Sequence, residues 1–313
     1  MKIRDLIIGS RGSKLALWQA EWVKEQLNRL HPQTRVSIEI IKTSGDVLKD
    51  QPLAVIGGRG VFTKELEEAL LGERIDLAVH SLKDLPTTLP EGLAISAITT
   101  REDPRDALVL RKGLEIEQPS IRQLPDGCII GTSSPRRLSQ LKHLRPRVTV
   151  KELRGNVDTR LRKLDAGEYD AVILASAGLR RLGLSHRISL SIDTEEMLPA
   201  VGQGALAVET RESDQDTANL LAPLDDHETR AACTAERSLL RALGGGCQLP
   251  IAAHAVVHGG LLRLYGLVAE ITGETVIRDS LEGAAADAER MGVELAIRLR
   301  ELGADVLLAE MST

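Results

Sequence analysis

The chain carries the same short plan twice. IIGSRGSKLA at residues 7–16 resembles IIGTSSPRRLS at 129–139, and TKELEEALLGERIDLAVHSL at 63–82 resembles TRLRKLDAGEYDAVIL at 159–174 with two short gaps. In each copy an apolar strand gives way to small polar residues and then to a helix start. A strand–turn–helix unit that recurs in this way predicts two α/β lobes on one topology. Each lobe would present a helix N-terminus, with unpaired N–H groups and the positive end of a helix dipole, to a cleft between the lobes. LPAVGQGALAVETR at 198–211 reads as a strand returning to the first lobe, so segments near 99–105 and 198–204 would cross between them.

The stretch with the most chemical content is IDLAVHSLKDLP at 75–86. Residues 75–79 read as a buried strand, which ends in His80, Ser81, Lys83 and Asp84, while Pro86 prevents a helix from starting at once. Open α/β sheets bind ligands at the carboxyl ends of their strands. A Lys-Asp pair in a turn is ordinarily just solvated. Arginines at equivalent strand ends favour the functional reading: Arg11 in the first lobe, and Arg136, Arg137, Arg154 and Arg160 in the second. Guanidinium forks match carboxylates two bonds at a time, so this pattern suits a ligand with several carboxylates.

Charge is unevenly distributed. Residues 131–163 hold ten Lys/Arg against Glu152 and Asp158, whereas residues 191–230 hold ten acids against Arg211 and Arg230. The basic block contains no Phe, Tyr or Trp. Stacking of bases on aromatic rings is therefore excluded where the positive charge lies, and a small polyanion fits better than a nucleic acid. No run approaches the ~18 apolar residues of a membrane span, and residues 1–14 lack a cleavable leader pattern, so a cytoplasmic protein is expected. Cys128, Cys233 and Cys247 are odd in number and widely spaced, which argues against a disulfide framework. The seven histidines form no HExxH, and no metal is expected.

The first helix should span Lys14–Leu30 with Leu15, Trp18, Trp22 and Leu27 apolar. Residues 43–60 read as a long glycine-containing loop. Pro135 suits a first helical turn with Ser134 as N-cap. From His227 the pattern changes. A helix to about residue 243 precedes strands at 251–257, 262–268 and 275–281 and a closing helix at 284–302: a small α+β domain with a three-stranded antiparallel sheet. The expected domains are thus 1–99 with 200–222, 105–198, and 227–313. Between the helix and the first strand lies GGGCQLP at 244–250. Cys128 and Cys233 sit in apolar segments and read as buried hydrophobes. Cys247 follows three glycines that carry no side chains to shield it, which marks it as a candidate nucleophile or attachment point.

Eight motifs in order carry a resemblance over essentially the full length: GSRGSKLALWQ (9–19), GGRGVFTKE (57–65), HSLKDLP (80–86), REDPRDAL (101–108), GTSSPRR (131–137), LRGNVDTR (153–160), LPAVGQGA (198–205) and GGCQLP (245–250). With them the chain resembles the porphobilinogen deaminase (hydroxymethylbilane synthase) family. The resemblance implies two lobes like those of periplasmic solute-binding proteins plus a third domain. It implies a dipyrromethane cofactor joined by a thioether to Cys247, and condensation of four porphobilinogen molecules head to tail onto it with loss of ammonia. Hydrolysis then releases hydroxymethylbilane. The family's catalytic aspartate matches Asp84, with Lys83 beside it, and its carboxylate-binding residues match Arg11, Ser13, Ser134, Arg136, Arg137, Arg154 and Arg160. Lys83, Ser134, Arg136 and Arg137 are assigned to the cofactor, and Arg11, Ser13, Arg154 and Arg160 to the substrate.

These residue types suit the chemistry. Porphobilinogen carries an acetate and a propionate, so each added ring brings two carboxylates for the arginines. Loss of ammonia leaves a cationic azafulvene, which calls for one nearby anion. Lys14, Arg59, Pro135 and Ala252 depart from the family's usual Pro, Lys, Leu and Gly, and none removes a catalytic group. A monomer with a small-molecule substrate and no nucleic-acid or membrane partner is expected. The rival reading is a non-catalytic binding protein for a small polycarboxylate, since fold alone does not fix function.

Overall fold

The computed structural model describes residues 4–47, 62–114, 116, 120–246 and 249–310. In chain order the strands are β1 (Arg4–Ser10), β2 (Thr34–Ile40), β3 (Leu77–Ser81), β4 (Leu93–Ile98), β5 (Asp106–Leu110), β6 (Ile129–Gly131), β7 (Thr149–Lys151), β8 (Ala171–Ala175), β9 (Leu190–Ser191), β10 (Leu206–Arg211), β11 (Ile251–His258), β12 (Leu261–Ala269) and β13 (Val276–Ala284). Two compact units divide the chain: Met1–Glu102 with Ala205–Arg230, and Asp103–Gly204 with Ala231–Thr313. Among the described residues no helix is long and apolar enough to cross a membrane.

The sequence repeat is a repeat of topology. The first unit holds a sheet of order β2-β1-β3-β10-β4 and the second a sheet of order β7-β6-β8-β5-β9. In both, the first strand lies beside its successor and its third partner in parallel: β1 with β2 and β3, β6 with β7 and β8. In both, an antiparallel strand then inserts beside the third, β10 on β3 and β5 on β8. The inserted strand is delivered by a chain crossing, after residue 204 for β10 and after residue 102 for β5.

Local chemistry sets the first helix as expected, Lys14–Leu30, with Ser13 as N-cap: its Oγ accepts from the Ala16 N–H at 3.2 Å. The buried face differs from the one anticipated. Ala16, Ala20, Val23 and Leu27 turn inward, whereas Trp18 is 37% exposed. Spacings of 4, 3 and 4 residues keep the smaller side chains against the sheet, so the large indole is displaced outward. Strand β3 also runs further than its composition suggests. Ser81 and His80 pair with Leu206 and Ala207 of β10, so the ladder extends the strand through two polar residues.

The second unit also contains the three-stranded antiparallel sheet β11-β12-β13. Its core includes Ala235 and Leu239 of helix His227–Ala242, Leu262 and Leu264 of β12, and Met291 and Leu295 of helix Ala288–Leu299. The closing helix is shorter than expected. It loosens over Arg300–Ala304, where Gly303 takes φ 105°, and a separate helix covers Asp305–Glu310.

Candidate active site

In the first unit, Asp84 lies in the single helical turn Leu82–Asp84 that follows β3. That turn is fastened on several sides. The Leu82 N–H donates to Ala205 O at 3.0 Å, the Leu85 N–H to Leu82 O at 3.2 Å, and Gln19 Nε2 to Ser81 Oγ at 2.9 Å. The Asp84 side chain is nevertheless exposed, and no described residue bonds its carboxylate. It opens onto a concavity that Arg11, Ser13, Phe62, His80 and Ser81 also line. Arg11 stacks over the Phe62 ring, 4.2 Å from its centroid, which holds the guanidinium in place. Ser13 brings the N-terminus of helix Lys14–Leu30 to the same concavity. Arg11, Ser13 and Asp84 therefore meet, as the sequence predicts; Lys83, half-buried, is not among the lining residues.

In the second unit, the helix starts at 135 and 157 are tied together. Ser133 Oγ donates to Leu153 O at 2.6 Å and accepts from the Leu153 N–H at 3.1 Å. This brings the loop after β6, with Ser134, next to the loop after β7, with Arg154. Ser134 caps helix Pro135–Leu144, its Oγ accepting from the Arg137 N–H at 3.4 Å. Arg154 is half-buried beside Glu152, with Nε 2.7 Å from the carboxylate, and Arg160 Nε donates to Gly155 O at 2.7 Å.

Arg136 and Arg137 are 4% and 5% exposed, and both grip Asp106, which is fully buried. Arg136 Nη1 lies 2.7 Å from Asp106 Oδ2, and Arg137 Nη2 lies 2.8 Å from Oδ1. Gln203 Nε2 donates to the same Oδ1 at 2.9 Å. Burial by itself would raise the Asp106 carboxyl. The charges of Arg136 and then Arg137, with their hydrogen bonds, outweigh it and hold the group well below the usual carboxylate range. Two guanidiniums against one carboxylate still leave one formal positive charge.

The glycine run preceding Cys247 also has a different cause from the one inferred. Gly244 takes φ 70°, its N–H donates to Arg241 O at 3.0 Å, and the Gly245 N–H donates to Leu240 O at 2.9 Å. These two bonds close the end of helix His227–Ala242 in a Schellman motif. A Cβ on Gly245 would come within 2.5 Å of Ile251 Cδ1, whereas one on Gly246 would meet nothing within 4 Å. Two of the three glycines thus serve the helix end. Cys247 itself, like Arg59 and most of the anticipated 43–60 loop, lies outside the described residues. Cys128 and Cys233 are buried, as expected, and the Cys128 thiol is pushed up to about 11 by burial and then by Asp170.

Three residues that matter to this geometry carried little sequence signal: Phe62, Asp106 and Glu209. Phe62 is the only phenylalanine in the chain, which is a cue. Asp106 is one of several charged residues in REDPRDAL, and Glu209 resembles the solvent-facing member of an alternating strand.

Comparison with known proteins fixes the family. The profile described as "Porphobilinogen deaminase, dipyromethane cofactor binding domain" matches residues 6–219, and that of "Porphobilinogen deaminase, C-terminal domain" matches 230–301. The porphobilinogen deaminase of Syntrophotalea carbinolica is 51% identical over 99% of this chain and 97% of its own length. That of Nostoc sp. is 50% identical over 97% and 94%. The chain belongs to the porphobilinogen deaminase family. Among solved structures, the periplasmic aliphatic sulphonate-binding protein SsuA from Escherichia coli is 14% identical with a TM-score of 0.42, covering 77% of this chain and 71% of that one.

The activity is that of a hydroxymethylbilane synthase, a transferase of tetrapyrrole biosynthesis that condenses porphobilinogen on a dipyrromethane primer with loss of ammonia. The residues present suit that acidic cofactor: Arg136 keeps a buried Nε that no partner satisfies, in a cluster with one excess positive charge.

Proposed function

We propose that Asp84 is the catalytic carboxylate of the condensation and that Cys247 carries the dipyrromethane through a thioether. Arg136, Arg137, Ser134 and Lys83 would hold the cofactor's carboxylates, and Arg11, Ser13, Arg154 and Arg160 those of the substrate. The cofactor, when bound, supplies a pyrrole α-carbon as the point of chain growth. The carrying observation is that, among the described residues, Asp84 is the only acid lining a concavity otherwise walled by Arg11, a helix N-terminus, His80 and uncharged groups. Porphobilinogen carries no charge on its ring nitrogen at rest, and positive charge develops on the ring as ammonia leaves. A carboxylate near that ring N–H stabilises the transition state more than the bound substrate, which is the condition for raising turnover. Arg11, held over Phe62, can fix a substrate carboxylate while leaving Asp84 to face the ring. We further propose three domains (1–99 with 200–222, 105–198, and 227–313), a monomer, and a cytoplasmic location.

The test is single-turnover incorporation of porphobilinogen by Asp84→Asn, read with intact mass. Turnover is expected to fall by roughly 10², as when an aimed electrostatic group is lost, while the mass still exceeds the sequence mass by the cofactor. Cys247→Ser should lose that excess mass, and Cys128→Ser and Cys233→Ser should keep it. Wild-type condensation by Asp84→Asn would make Asp84 a structural turn residue.

A further inference from the structure

We propose that Glu209 and His80 form a positioning pair that fixes the end of β3 and so aims Asp84; the proposal rests on the reading of Asp84 as the catalytic carboxylate. Glu209 is completely buried on β10 and His80 is 6% exposed on β3. Their side chains meet, His80 Nε2 lying 3.0 Å from Glu209 Oε2, close but outside hydrogen-bond geometry. The ladder explains the meeting. Ala207 faces His80 and Glu209 faces Ala78, so Glu209 and His80 are diagonal neighbours on one face of the sheet. On its other edge β10 pairs with β4 through a bulge between Val208 and Glu209, an irregularity of the kind that re-aims a side chain.

His80 also lines the concavity that Asp84 opens onto, so the pair connects a fully buried acid to the wall of the site. Three residues separate His80 from Asp84; the Leu82 N–H holds the intervening backbone to Ala205 O, and Gln19 holds the Ser81 side chain. Glu67, from helix Lys64–Leu71, closes the set; its carboxyl is raised by burial and then by the charge of Glu209. Two buried polar side chains packed together are a poor device for stability, because burying polar groups costs free energy that apolar residues of equal volume would not. What such a pair adds is direction. Here it adds direction to the strand end that presents the reacting carboxylate, where a shift of about 1 Å is worth up to ~10²-fold in rate.

The test uses the cofactor-bearing protein. Glu209→Leu should lower kcat at least tenfold with KM within about twofold of wild type, and speed amide exchange at Leu82 and Leu85. Glu209→Gln keeps an oxygen for the imidazole and should bring kcat back to within about threefold. If Glu209→Leu does not fold, His80→Leu with His80→Gln as its rescue makes the same measurement. Wild-type kcat in the Leu variant, or a Gln variant as slow as the Leu variant, overturns the proposal. Asp84→Asn run alongside separates the two claims. If it is slow while Glu209→Leu is not, only the positioning pair is wrong. If it is fully active, the assignment of Asp84 fails and this proposal with it.

Discussion

The two five-stranded sheets share one strand order, and each receives an antiparallel strand bearing a carboxylate with no solvent exposure: Glu209 on β10 and Asp106 on β5. The partners differ. Asp106 takes two guanidiniums and an amide, whereas Glu209 takes a single imidazole. In the second unit the buried acid organises two cations and leaves one formal positive charge in the cluster. In the first it steadies a strand end whose outward acid, Asp84, has no partner among the described residues. On the reading proposed above, one topology would support a carboxylate-holding half and a charge-stabilising half, and the two differ in what surrounds one buried acid in each.

The largest expected effect breaks this contrast at Asp106. Asp106→Asn leaves Arg136 and Arg137 buried without their counter-ion, which costs about 3–5 kcal/mol in comparable sites. Urea unfolding should show that loss, and Glu209→Gln, which strands no guanidinium, should show clearly less. Equal losses would mean that the two acids do the same job. The pH dependence has a definite sign. The folded Asp106 carboxyl is depressed, so its contribution is present above the unfolded value and is lost as pH falls through the folded one, well below the ordinary carboxylate range.

A smaller effect separates arginines inside the second unit. Arg154 is half-buried with Glu152 as a near partner, unlike the buried Arg136. Arg154→Leu should cost substrate holding about 1.5–3 kcal/mol, roughly tenfold to a hundredfold in KM, with little change in unfolding midpoint. Arg136→Leu should change both stability and cofactor loading. If Arg154→Leu unfolds as easily as Arg136→Leu, the two arginines share a structural role and the contrast drawn between them fails.

Much of this organisation could be read from the residues, and the exceptions have a common origin. The duplicated lobes, the Ser134 cap and the span Lys14–Leu30 follow from short-range pattern, and the structure has them. Arg11, Ser13 and Asp84 meet because strand ends converge, which the motif positions encode. What escaped was pairing over long separations. Arg136 and Asp106 are thirty positions apart, and nothing local in the sequence shows that this arginine already has a partner within the protein. Glu209 was hidden because β10 is buried on both faces, so alternation gives no inside and outside. The glycines at 244 and 245 were attributed to access around Cys247 when a helix terminus already requires them.

The smallest effect concerns Glu67, which sharpens the comparison by reversing its sign. Glu67 is buried next to the Glu209–His80 pair with one carboxylate oxygen unsatisfied. Burial, followed by the charge of Glu209, raises its carboxyl above the ordinary value, the opposite of Asp106. A carboxyl raised in the folded state stabilises fully below its unfolded value, and that contribution fades as pH climbs through the folded one. At neutral pH the ionised form is therefore a small burden on the first unit. Glu67→Gln keeps the shape and removes the titration, so the variant should melt about 1–3 °C higher than wild type at pH 7. The gain should vanish near pH 4, where the wild-type group is itself protonated. Thermal melts of both proteins across that range provide the measurement. A Gln variant that melts lower at pH 7 would mean that the Glu67 carboxylate stabilises through His80, and that the first unit, like the second, is built around a compensated buried charge.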